Sequence, residues 1–232
     1  MQQRKSWARI GGLSETYYRV AEEAYHGYLI ETENLVPSSM PDDAPTTLMQ
    51  QEKEILIFGL KTVVFSAMCV EAAIFDFAAI HLGDSYSEQY LDKLDLVSKW
   101  LVIPRLACST GLAERGAAIN SLRTLVKFRN SLAHQKSKPL DLQKMAIEDT
   151  NHKSDTFPND VHTAYKTIVL LSLELNSATG EITCVLPPFE KHVISSHLIP
   201  DRVKKVVERC RTIHLNSLTA GKDKKAQDRQ NL

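Results

Sequence analysis

Residues 47–83 read TLMQQEKEILIFGLKTVVFSAMCVEAAIFDFAAIHLG. Thr47 followed three positions later by Gln50 is a capping-box signature, which places a helix start there. Gly83 suits the left-handed residue that closes many helices, so the expectation is one long helix ending at Leu82. Gly59 is the position where so long a helix is expected to bend. The most apolar part, Ile55 to Leu82, is interrupted by Lys61, Glu71 and Asp76. A membrane span asks for about 18 or more residues with few or no charges. The stretch therefore reads as a helix of a folded core, with no membrane partner.

Reading outward from it, helical periodicity recurs on both sides. Before it, Glu15 to Asn34 fits a helix with Ser14 as N-cap and a stripe of Tyr17, Ala21, Ala24 and Tyr28. Pro37 to Pro45 reads as an exposed linker. After it, Ser87 to Val102 fits a helix between Asp84 and Pro104, with Trp100 capping the core. Glu114 to about His134 fits another, with Ile119, Leu122, Leu125, Val126 and Leu132 facing inward. Asp149 to Pro158 is polar and reads as loop, and Asp160 to Leu175 as a helix stopped near Gly180. Glu181 to Val185 is the one candidate strand. Asp201 to Leu218 reads as a last helix, and Lys222 to Leu232 as a frayed tail.

Nine Gly and nine Pro are too few for the closely spaced turns of a sandwich or barrel, and they cluster between the periodic segments. The expected fold is therefore all-α, an antiparallel helical bundle. Three parts are expected: 1–46 as N-terminal helix and linker, 47–180 as the core, and 181–232 as a basic C-terminal extension.

The chain has 232 residues, 28 of them Lys or Arg and 28 Asp or Glu, so overall charge points to no partner. Cys69, Cys108, Cys184 and Cys210 lie far apart, framing neither a disulfide scaffold nor a zinc site. No metal or cofactor is expected. Met1 to Gly12 carries Arg4, Lys5 and Arg9 without an apolar core behind them, unlike a secretory signal. The expected compartment is the reducing cytoplasm.

One segment carries a chemical signature: Lys127-Phe128-Arg129-Asn130-Ser131-Leu132-Ala133-His134-Gln135-Lys136. It closes an apolar helix with Arg, Asn directly after it, and His after four intervening residues. Arg and His at comparable spacing also occur as Arg19 with His26 and Arg209 with His214, but only Arg129 is followed by Asn. The segment, together with the long apolar helix before it, resembles the HEPN superfamily. The likeness spans roughly Leu48 to Leu175 and leaves the N- and C-terminal helices as additions to a HEPN-like bundle.

The resemblance implies a metal-independent endoribonuclease, of the kind used in toxin–antitoxin or phage-defence systems. It implies a homodimer in which two motifs face one cleft, and RNA as partner, with an antitoxin or other regulatory protein as a further one. The catalytic candidates are Arg129, His134 and Asn130. Histidine moves protons near neutral pH, and the Arg fork stabilises charge on the phosphorane. Asn130 and His134 stack on one helical face, so Asn130 is placed to orient the ring or contact a phosphate oxygen. Arg129 lies about 140° around the helix from His134 at 100° per residue, so it must curl round or act across a dimer seam. The alternative from another class is a catalytically inactive HEPN-like module that binds protein or RNA. In that case Arg129 and His134 serve only the end of their helix. The position two after His134 is Lys136, where better-known two-component toxins of the family carry an aromatic residue.

Arg115 to Leu140 holds six basic residues and no acid. Arg123, Lys127, Lys136 and Lys138 are thus RNA-backbone candidates, with a plain solvated face as the equal alternative. Glu71 is the supporting candidate, able to pair with Arg129. Between Glu71 and Asp76, Glu71 is expected to be the inner acid, since a buried carboxylate needs a partner. His192 and His197 read as surface loop, and His162 with Tyr165 as packing.

Overall fold

The computed structural model describes residues 9, 11–35, 44–133, 147–193 and 198–230. The chain is an all-α bundle. Its helices are α1 (Ser14–Glu33), α2 (Ala44–Leu82), α3 (Asp84–Tyr86), α4 (Leu96–Cys108), α5 (Ala117–Ala133), α6 (Ile147–Thr179) and α7 (Asp201–Gln230). A π-helical turn, Ser87–Leu91, follows α3 directly.

α2 is continuous through Gly59 and ends at Gly83, the stop read from the sequence, whose positive φ of 95° favours glycine but whose ψ of 153° is extended, outside the left-handed helical conformation. Gly59 is a notch. A Cβ there would lie 2.4 Å from Cζ of Phe157, so the missing side chain lets α6 close onto α2. Gly27 does the same for α1, where a Cβ would sit 2.7 Å from the Phe58 ring.

α1 runs antiparallel to α2. Tyr17 meets Phe65 near one end, and the Gln51 side chain donates to the Glu31 carbonyl at the other. α1 is also antiparallel to α6 and α7. Tyr18 faces Tyr165 and Tyr28 faces Phe157, while Glu33 pairs with Arg202 at the start of α7. α5 returns antiparallel to α6, with Phe128 on Phe157 at one end and Ala113, just before α5, bonded to Glu174 at the other. α1 buries Tyr18, Glu22 and Tyr25 as well as Ala21, Ala24 and Tyr28, a face broad enough to cover α2, α6 and α7, while Tyr17 is only half-buried.

Several expectations are corrected. The helix read as Ser87 to Val102 is split, because Asp95 caps a fresh start by accepting from the Ser98 N–H at 3.1 Å. Pro104 then lies inside α4, which continues to Cys108 and stops at Ser109 in the left-handed region. Trp100 is at the centre of the core, fully buried and donating from Nε1 to the Val70 carbonyl at 3.1 Å. Asp149 to Pro158 is helical as the start of α6; Pro costs a helix its own N–H bond, yet the turns from Val161 onward are buried and hold the element.

The expected strand, Glu181 to Val185, is absent, and no strand occurs among the described residues. Its polar groups are met by a side chain: Asn176 Oδ1 accepts from the Thr183 N–H at 3.0 Å and from its hydroxyl at 2.9 Å. Lys222 onward is helical as far as Gln230.

The N-terminal helix and the C-terminal segment share one buried cluster with the rest. Tyr18 and Tyr25 belong to it, as do Val185, Leu186, Phe189, Val203 and Val207. Leu48–Leu82 is long and apolar enough to cross a bilayer by length and composition. However, 56% of its most apolar window is buried inside the molecule, as in the core helix of a globular bundle.

Candidate functional site

α5 buries Ala118, Ile119, Ser121, Leu122 and Leu125. One turn beyond Leu125 on that stripe comes Arg129, where the helix emerges from the bundle. Its guanidinium faces α2, with Nη2 3.6 Å from Glu71 Oε2. Glu71 also lies 3.9 Å from Nζ of Lys99 on α4, and Lys99 bonds Asp92 at 2.6 Å. The result is a row of alternating charge, Arg129–Glu71–Lys99–Asp92, across the junction of α2, α4 and α5.

The side chains of Arg129 and Glu71 keep 37% and 47% of their exposure, so this pair is worth only ~0.2–1 kcal/mol. Orientation, more than stability, is what it supplies. At 3.6 Å the contact is an ion pair without a hydrogen bond. The Arg129 N–H donors make no hydrogen bond among the described residues and remain available to an anion. Lys99 is different: only 5% of its side chain is exposed, so its ammonium is a nearly buried cation that needs both acids.

Glu71 is not the inner acid. Asp76 is the more enclosed, with 16% of its side chain exposed, and it accepts from Arg9 Nε at 3.1 Å. Burial lifts the Asp76 carboxyl above the usual range, with Arg9 pulling the other way. Arg9 also reaches Asp84 at 2.8 Å, and that partner had no local signal in the sequence.

Beside Arg129 opens a groove of about 1030 Å³ lined by Leu56, Leu60 and Val64 of α2, Lys127, Phe128, Arg129 and Leu132 of α5, and Phe157 and Asp160 of α6. Its floor is apolar and its rim carries charge. Burial raises the Asp160 carboxyl above its ordinary range, while Thr156 and Lys127 pull it down.

The remaining candidates are distributed as follows. Asn130 is exposed on the outer side of α5. Lys127 is exposed at the groove rim. Arg123 is turned to its own helix start, donating to the Glu114 carbonyl at 2.9 Å and to Asn120 Oδ1 at 3.0 Å. His134, Lys136 and Lys138 lie outside the described residues, as does His197. Arg129 is thus brought beside Glu71 and shares the groove with Lys127, and Arg123 is committed elsewhere. Sequence reasoning missed Lys99. The available signal was a lone cation inside the apolar run Leu96 to Ile103. No cluster of His, Cys, Asp and Glu able to hold a metal occurs among the described residues.

Comparison with known proteins returns no matching family model, no matching curated protein and no matching solved structure.

Proposed function

We propose that the chain is a metal-independent endoribonuclease of HEPN type, acting in the cytoplasm as a toxin or phage-defence effector. Arg129 would stabilise the phosphorane. His134 would move the proton at the ribose 2′-OH or the leaving 5′-oxygen, and Asn130 would orient the ring or the phosphate. The observation that carries this reading is a guanidinium held by Glu71 at the edge of a large groove, with its N–H donors unengaged among the described residues. A homodimer would bring two such motifs to one cleft and supply an acid and a base, and an antitoxin-like protein would regulate it.

The apolar floor of the groove, Leu56, Leu60, Val64, Phe128, Leu132 and Phe157, favours a second reading. In it the chain is a catalytically inactive HEPN-like module whose groove takes a protein partner.

The test is cleavage of a mixed RNA substrate in EDTA by wild type, Arg129→Ala and His134→Ala, each confirmed as folded. The nuclease reading expects cleavage by wild type alone, leaving 2′,3′-cyclic phosphate ends. Cleavage that persists in both variants, or that is absent throughout, removes it.

A further inference from the structure

The groove beside Arg129 offers more than a place for a phosphate. Leu56, Leu60 and Val64 line it from α2, four positions apart and so stacked on one helical face. Leu56 and Val64 keep 48% and 39% of their exposure, which leaves this apolar strip open to solvent. Two aromatic rings extend it. Phe128 of α5 meets Phe157 of α6 edge-on, with ring centroids 6.0 Å apart. The Gly59 notch seats the Phe157 ring against α2 and so fixes the aromatic end of the floor.

The charged groups of the groove come from two helices. Lys127 and Arg129, on either side of Phe128, bring two cations from α5. Asp160 of α6 brings the one carboxylate that lines the groove among the described residues. It follows Phe157 by three positions and so lies on the same face of α6 as that ring. Asp160 is half-buried and makes no ion pair among the described residues; Thr156, one turn before it, is the group that supports its charge. An ionised carboxylate has two oxygens and about four lone-pair sites, so Asp160 keeps acceptor capacity for a ligand.

Each part suits a different part of one nucleotide. Apolar and aromatic side chains cover the face of a base, and cations take the backbone phosphates. A carboxylate only accepts, so it selects a base edge that donates. Guanine presents two adjacent donors on its Watson–Crick edge, N1–H and the 2-amino group, which match the two oxygens of a carboxylate. Adenine and cytosine set an acceptor beside their one amino group, and uracil sets its N–H between two acceptors. We infer that this groove is a guanine-reading subsite for single-stranded RNA, with Asp160 as its specificity-determining residue. Phe128 and Phe157 cover the base, and Lys127 holds a flanking phosphate. An apolar protein helix laid in the same groove would desolvate the Asp160 carboxylate without pairing it, which disfavours that occupant. The inference rests on the nuclease reading for its substrate and deepens it, naming the base beside the phosphate at Arg129.

The experiment measures binding apart from cleavage. The full chain is titrated calorimetrically with the 3′-monophosphates of guanosine, inosine, adenosine, cytidine and uridine, each variant being confirmed as folded. The guanosine nucleotide should bind saturably and about tenfold or more tighter than the others, inosine included, since inosine lacks only the 2-amino group. Asp160→Asn sets an amide N–H2 against the donor edge. It should weaken guanosine binding about tenfold or more and leave the other nucleotides within about twofold. Lys127→Gln should weaken all of them alike. Equal binding of all the nucleotides, or guanosine binding unaltered in Asp160→Asn, overturns the subsite. No saturable binding of any nucleotide also overturns it and leaves the groove to the protein partner of the second reading. Cleavage in EDTA is scored separately. Guanosine-selective binding without cleavage removes the nuclease step and keeps guanine recognition, whereas cleavage indifferent to guanine removes the subsite and keeps the nuclease.

Discussion

Phe157 occupies the space where a side chain on Gly59 would begin, its ring Cζ 2.4 Å from the position of the missing Cβ. Replacing a mid-helix glycine by alanine normally gains ~1 kcal/mol of helix propensity. Here the added methyl also meets Val161 Cγ2 at 2.9 Å, and overpacking costs ~1–3 kcal/mol. Gly59→Ala should therefore lower the melting temperature. In a Phe157→Ala background the same change should cost less, since most of the clash is gone. Thermal denaturation of the four proteins of this cycle measures it.

Trp100 ties α4 to α2 through both packing and its Nε1 bond to Val70. Truncation to alanine removes the largest fully buried side chain among the described residues and should cost ~3–5 kcal/mol. Trp100→Phe, which keeps most of the volume but not the donor, should cost less. Urea unfolding at neutral pH distinguishes the two.

Glu71→Gln removes the charge facing Arg129 while keeping its shape. Because the pair is half-exposed, stability should change by less than about 1 kcal/mol. If Arg129 acts on a phosphorane, loss of its aim should still lower kcat/KM for RNA cleavage by roughly tenfold to a hundredfold. Equal activity in Glu71→Gln and wild type would show that the acid does not position Arg129.

Burial, with Arg209 in second place, holds the His162 imidazole below its ordinary pKa, and burial does the same at His214. The folded chain thus resists protonation where the unfolded chain accepts it. The stability contributed by each neutral ring is complete above the unfolded value of about 6.5 and is lost as pH falls through the lower folded value. Stability should decline from pH 7 toward pH 5, and the decline should be shallower in His162→Gln. Denaturant midpoints across that range give the slope directly.

The helices most legible in the sequence are those whose apolar period is long and whose ends carry local chemistry. α2 with its Gly83 stop and α5 with its inner leucines are the clearest. Elements misread from sequence were decided by distant partners. Pro158 and its polar neighbours look like a loop until the buried run from Val161 is seen to hold the helix through them. Asp76 drew inward because Arg9 reaches it from 67 positions away. Glu22 and Glu23 are adjacent and identical in type, yet only Glu22 is enclosed, between Tyr18 and Tyr165. At the candidate site, residue types near Arg129 were readable, whereas the Lys99 support and the commitment of Arg123 to its own helix start depend on three-dimensional placement.

The tyrosine face of α1 has consequences for how the chain is made. Glu22 accepts from Tyr165 143 positions later, Tyr25 finds its polar partner 137 positions later on His162, and Glu33 meets Arg202 after 169. During synthesis α1 can pair with α2 early, but its second side waits until most of the polypeptide has left the ribosome. Such late closure slows folding and leaves apolar surface open in the interval. Nascent chains halted before α6 should therefore be the ones most prone to capture by chaperones, and the C-terminal helices act as the step that commits the molecule to its native state.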